Sequence, residues 1–217
     1  MPHLTLLQTL VVWSLPVLFA VTLHEVAHGW AALYLGDKTA QRLGRLSLNP
    51  FAHVDPLGTV LIPAAMLLVG GFIFGWARPV PVVAGNLPNP RRHMALVALA
   101  GPMANLLMAV GWGLTLKLAQ AINGALPLVY MSLAGILINL LIMALNLLPV
   151  PPLDGGRVLA GLLPERYATY ISRLEPYGLI IILLLLVSGT LSSVLAPLLK
   201  LMEGLLTGLL GLHGVTF

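Results

Sequence analysis

"LTLLQTLVVWSLPVLFAVTLHEVAHGWAALYL", residues 4–35, decides what solvent this protein lives in. From Leu4 to Leu23 it carries no charged residue, and then "HEVAH" sets His24, Glu25 and His28 close together. A helix rises about 1.5 Å per residue, so about 20 such residues cross the hydrocarbon of a bilayer. The ionisable residues therefore fall toward the far end of a first membrane helix. The whole chain agrees: of 217 residues, 59% are hydrophobic and only 8% charged, with mean hydropathy +0.98. Soluble domains carry about 25% charge. A chain this poor in charge cannot cover a water-facing surface.

The length suits one domain, a single membrane-embedded unit over 1–217 with its core at about 4–165 and C-terminal helices at 178–212. The pI near 9.8 reflects a balance of only +4 with no basic run, which argues against nucleic acid. Scattered Lys and Arg in a membrane protein mark cytoplasmic loops. With no cysteine, disulfides and thiolate metal sites are excluded, so a metal here takes nitrogen and oxygen ligands. The N-terminus lacks the charged start of a signal peptide, and residues 4–35 read as a retained helix.

Further apolar runs occupy 57–75, 95–119, 129–148 and 178–199, with a weaker one at 201–212. The expected fold is an all-α polytopic membrane protein. It has four to five transmembrane helices plus a re-entrant or interfacial segment with a small β-element. The marginal run is 57–75, interrupted by Pro63 and by Gly70, Gly71 and Gly75. The run at 201–212 is short enough for an interfacial helix or partial span.

Topology follows from the acids. "NLLPVPPLDGGR" (146–157) ends the run 129–148 and holds Asp154. For Asp154 to meet His24 and His28, both helices must point the same way, with one crossing, 95–119, between them. The segment 57–75 must then enter and leave on one side. That threading puts Lys38, Arg42, Arg45, Arg78, Arg91, Arg92, Arg157, Arg166 and Arg173 together, with Lys117 and Lys200 opposite. A full crossing at 57–75 would split the cations almost evenly, so the positive-inside rule favours the first threading. It predicts an outside N-terminus and polar motifs toward the cytoplasmic face of a bacterial-type cell membrane.

His24 and His28, four apart, turn through about 400° and share one helix face. Glu25 lies about 100° around, beside that face. H-E-x-x-H is the zinc-hydrolase pattern, two ligands plus a general base. In a chain with six histidines, about 0.003 matches arise by chance. A polar cluster that merely packs helices is the bland reading, yet ionisable groups inside a membrane are costly and functional by default. Catalytic zinc takes three protein ligands and an open position. Of the three aspartates, Asp37 and Asp55 sit in a polar loop. Asp154 follows Pro149, Pro151 and Pro152 and precedes Gly155 and Gly156, an irregular backbone suited to a buried or cavity-lining position. It is the expected third ligand to one zinc ion per chain; its other reading is a cap on the next helix.

HEVAH, together with Asn146, Pro149, Pro151, Leu153, Asp154 and Gly155, resembles the site-2 proteases, intramembrane zinc metalloproteases. Gly101 and Asn105 in "AGPMAN", "RLSLNPFAHVDPLGT" (45–59) and "GWARPVPV" (75–82) resemble its compact bacterial branch without PDZ or CBS domains. The resemblance covers about residues 20–165. It implies regulated hydrolysis of peptide bonds in or beside transmembrane segments, with a membrane protein or peptide as partner in the lipid bilayer. It also implies that His24, His28 and Asp154 bind zinc and that Glu25 is the base. Asn146 is then the candidate donor to the oxyanion, and His53 its rival, with a plain loop residue as the alternative for His53. Gly101 and Asn105 serve either close packing or substrate contact. In "GWARPVPV", Pro79 and Pro81 strip one edge of its amides, while Val80 and Val82 keep theirs on the other, which could pair with an extended substrate.

Two other classes fit an intramembrane His–Asp cluster: a zinc or cation transporter, and an inactive homologue that binds membrane segments. The first expects further mid-depth polar groups, and the remaining helices offer little beyond Asn105, Asn139 and Ser188. The second has no need of Glu25.

Overall fold

The computed structural model describes residues 4–62, 65, 75–122 and 126–212. Three long helices form its centre: α1 (Leu6–Tyr34), α2 (Pro90–Ala121) and α3 (Leu126–Asn146). Four more follow: α4 (Asp154–Leu162), α5 (Glu165–Leu174), α6 (Gly178–Val187) and α7 (Thr190–Leu210). A reciprocal cap starts α1: the Gln8 amide donates to Thr5 Oγ1 at 3.3 Å and the Thr5 amide to Gln8 Oε1 at 2.9 Å.

Side-chain pairs fix the helix directions. His28 meets Val97 while Ala20 meets Asn105, so α1 and α2 are antiparallel. Asn139 meets Asn105 while Gly135 lies under Trp112, so α3 opposes α2 and runs with α1. One intervening crossing thus brings the ends of α1 and α3 to the same face. Small residues line the contacts: Ala20, Ala98, Gly101, Ala109, Ala134, Gly135 and Ala144 are buried. Backbones approach closely where no large side chain intervenes, which suits association in lipid. The outer faces are apolar, with Leu6 78%, Leu107 69% and Leu118 60% exposed. Such surfaces are at home only against hydrocarbon.

Among the described residues, five helical stretches are long and apolar enough to cross a membrane: α1, α2, α3, Glu165–Val187 (α5 and α6 together) and α7. The C-terminal part differs from the sequence expectation. The run 178–199 breaks at Ser188–Gly189, where Gly189 takes φ 74°, and residues 190–210 form one helix. Lys200 consequently falls in mid-helix, not beyond a membrane face. Leu191 and Leu195 pack with Ala144, and Leu210 with Gly113, so α7 crosses in the direction of α2.

Most of 57–75 lies outside the described residues, but its flanks are in contact. The Trp76 amide donates to Gly58 O at 3.0 Å, Thr59 Oγ1 to Trp76 O at 2.9 Å, and the Arg78 amide to His53 O at 2.8 Å. A single span would part these flanks by about 30 Å. The two flanks therefore lie together, beside residues 17–22 midway along α1, and not on opposite sides of a bilayer.

The expected β-element does not form a strand among the described residues; within 75–83 the Trp76 and Arg78 amides bond Gly58 O and His53 O without making a regular ladder. Two prolines remove its donors on one edge, and the amide between them goes to a side chain instead.

Candidate metal centre

The i, i+4 spacing on α1 stacks the imidazoles of His24 and His28 edge to face, with centroids 4.7 Å apart. They lie against α2 where it has no side chain. A Cβ on Gly101 would sit 2.5 Å from His28 Nε2 and 2.6 Å from His24 Cε1. Gly101 is thus a close-packing residue that makes room for both rings. Asp154 arrives from the first turn of α4, where the helix dipole favours an anion. Its turn is tucked under the end of α3: a Cβ on Gly155 would meet Leu147 O at 2.3 Å. Only glycine tolerates that approach.

The second nitrogen of each ring settles the first. His28 Nδ1 lies 2.7 Å from the carbonyl of Val97, which can only accept, so Nδ1 carries the proton. His24 Nδ1 lies 2.6 Å from Asn105 Oδ1. The orientation of Asn105 is set by its own amide, which donates to Ala20 O at 3.2 Å and to Asn139 Oδ1 at 2.9 Å. Asn139 in turn donates to Gly135 O at 2.8 Å. In the neutral rings both Nε2 atoms are then lone pairs, and they face each other at 3.1 Å.

Asp154 Oδ2 completes the group, 3.2 Å from His24 Nε2 and 3.4 Å from His28 Nε2. That oxygen is buried without a hydrogen bond. Three acceptors with no proton among them repel one another, and a cation resolves the conflict. Ligand bonds of about 2.0–2.2 Å at tetrahedral angles separate donor atoms by about 3.3 Å. The observed 3.1–3.4 Å fits a zinc ion, and these three residues form a group that could hold one.

The other predicted residues divide. Asn105 is fully buried and bonded to His24, Ala20 and Asn139. Of the two expectations for it, the structure shows the packed one: its side chain is taken up by the His24 ring and by α1 and α3. Asn139, which the sequence offered only as a mid-depth polar group and not as a site residue, belongs to the same chain of hydrogen bonds. Asn146 bonds its own helix, donating to Ile142 O at 3.0 Å. His53 is buried, and its Nε2 pairs with Ser47 O at 2.9 Å. Nε2 therefore donates to that carbonyl, and Nδ1 is buried without a hydrogen bond. Val80 donates its amide to Glu25 Oε2 at 2.8 Å, while the Val82 amide has no partner among the described residues.

These features define a metal-dependent hydrolase centre in a membrane protein. Comparison with known proteins agrees. The model of peptidase family M50 matches residues 115–188. The Bacillus subtilis (strain 168) protein named "Putative zinc metalloprotease YwhC" is 39% identical over 192 residues, 85% of this chain and 84% of that protein. Rip2 of Mycolicibacterium smegmatis, under the same description, is 31% identical over 180 residues, 81% of this chain and 66% of its own length. No solved structure matches. The chain belongs to peptidase family M50, the site-2 proteases, and is a zinc metalloprotease.

Proposed function

We propose that this metalloprotease cuts peptide bonds in or beside the transmembrane segments of other membrane proteins, as an agent of regulated intramembrane proteolysis. The observation that carries the reading is the convergence of His24 Nε2, His28 Nε2 and Asp154 Oδ2 within a bundle of membrane-length helices. His24, His28 and Asp154 bind one zinc ion per chain, and Glu25 is the general base. When bound, zinc supplies a Lewis acid that activates water near neutral pH and polarises a scissile carbonyl. Glu25 takes the proton of the attacking water and returns it to the leaving nitrogen. Asn146 has one amide proton left to offer the developing oxyanion. An apolar cavity of about 220 Å³ beside α1, lined by Val17, Thr22, Gly58 and Trp76 among others, has room for a substrate side chain.

The reading places the metal centre near the cytoplasmic face of a bacterial-type cell membrane, with the N-terminus outside. Nine of the eleven Lys and Arg residues belong to segments at that end of the bundle, which supports it. The test is cleavage of single-pass proteins in reconstituted bilayers. Wild type should cut, whereas Glu25→Gln and chelator-treated enzyme should lose at least ~10³-fold in rate. Ion flux that persists in Glu25→Gln, with no cleavage by wild type, would replace the protease with a transporter.

A further inference from the structure

The chain from Trp76 to Val83 passes Glu25 with a single amide in reach, because Pro79 and Pro81 flank Val80 and have none. The Val80 amide donates to Glu25 Oε2 at 2.8 Å. A slip of one residue, about 3.3 Å of extended chain, would set a proline against Glu25 and leave it no donor. The register is therefore all or none, and something must hold it.

Two side chains outside the metal centre grip the segment on either side of Val80. The Arg45 guanidinium donates to Arg78 O at 3.0 Å, to Pro79 O at 3.4 Å and also to Ala52 O. Downstream, the Val83 amide donates to Asp37 Oδ2 at 2.7 Å, and Asn86 Nδ2 to Asp37 Oδ1 at 2.8 Å. Asp37 is fully buried, and its own amide bonds Ala32 O at 2.8 Å, so this grip is anchored on the end of α1 that bears Glu25. Between them the Val80 side chain rests on Gly29, where a Cβ would lie 2.9 Å from Val80 Cγ1.

We infer that Arg45 and Asp37 are positioning residues: they fix the register of residues 78–83 so that the Val80 amide holds one oxygen of Glu25. The other oxygen is left to handle the proton of the attacking water. The inference rests on Glu25 being the base. Without the grip, a flexible glutamate samples several rotamers, and the segment is free to present a proline.

The test uses the zinc-loaded full chain with Arg45→Lys and Asp37→Asn. Arg45→Lys keeps the charge but cannot reach several carbonyls at once, and Asp37→Asn keeps the shape but loses an acceptor. Amide hydrogen exchange of the peptide covering residues 77–83 should quicken about fivefold or more in both. The rate constant kcat should fall about tenfold with KM moving less than about twofold, because orientation of a catalytic group is what is lost. Zinc content should stay that of wild type. Unchanged exchange, wild-type kcat, or loss of zinc from either variant would overturn the inference. Glu25→Gln separates the two readings. If it still cleaves, the base assignment falls and this inference with it. If it is inert while both grip variants cut at wild-type rate, this inference alone falls.

Discussion

His24, Glu25 and His28 were legible in the sequence because helical geometry is local: four residues and one face follow from 3.6 residues per turn. Asp154 was legible by chemistry, as the one aspartate set in an irregular apolar context. The bonding of the buried amides was not. Asn105 and Asn139 are 34 positions apart, and their contact depends on how two helices are rotated, which no spacing rule reports. Their arrangement has a measurable consequence. Asn105 accepts from His24 Nδ1 at 2.6 Å and so keeps Nε2 of that ring free for metal. Outer partners of this kind are worth about 10–100-fold in metal affinity. Asn105→Ala should weaken zinc binding by about that factor, measured by competition with a chromogenic chelator, and cleavage should recover at saturating zinc. Equal zinc affinity in the variant would show that the ring is held by packing against Gly101 alone.

Among the elements, the turn that delivers Asp154 is the most constrained. Gly155→Ala would drive a Cβ to within 2.3 Å of Leu147 O, a backbone atom that cannot step aside. The expected cost is about 1–3 kcal/mol, with zinc loss at temperatures where the rest of the protein stays folded. Thermal melts followed by metal release check it. The tie between α1 and the 83–86 turn depends on Asp37. Burial alone would raise its carboxyl pKa, but hydrogen bonds from the Thr39 hydroxyl, the Val83 amide, Asn86 and the Thr39 amide outweigh that and lower it from 3.8 to about 2. A carboxylate depressed in the folded state stabilises fully above its ordinary pKa and loses that contribution as pH falls toward the folded value. The stability advantage of wild type over Asp37→Asn should thus be flat above pH 5 and shrink between about pH 4 and 2. An advantage that grows on acidification would contradict the assignment. The extended form of 76–83 was legible from its prolines, but its partner was not, since a side chain 55 positions away supplies it. The break at Ser188–Gly189 was missed for a different reason. The apolar run continues through it, and hydropathy registers solvent preference without registering a left-handed glycine.

For the molecule as a whole, one question of direction governs function: which face of the bilayer the metal centre serves. The C-terminal end of α1, the start of α2 and the end of α3 lie together, and the flanks of 57–75 meet each other beside the middle of α1. The end of α2 lies at the other, where Lys117 Nζ donates to Leu210 O at 3.0 Å and closes α7 onto it. The absence of native cysteine makes this arrangement directly testable. His53 is a poor probe because it is buried, but Leu48 is 59% exposed, and Gly85, Arg166 and Gln120 are exposed as well. Single replacements Leu48→Cys, Gly85→Cys and Arg166→Cys should react with a membrane-impermeant maleimide from one side only. Gln120→Cys should react from the opposite side. With right-side-out vesicles, the positive-inside rule predicts that Gln120→Cys labels in intact membranes and that the other three label only after permeabilisation. Opposite labelling of positions 48 and 85 would mean that 57–75 crosses the membrane outright. Labelling of all four from one side would leave no membrane between the two ends of α2, and an enzyme working within the bilayer could not be built on this fold.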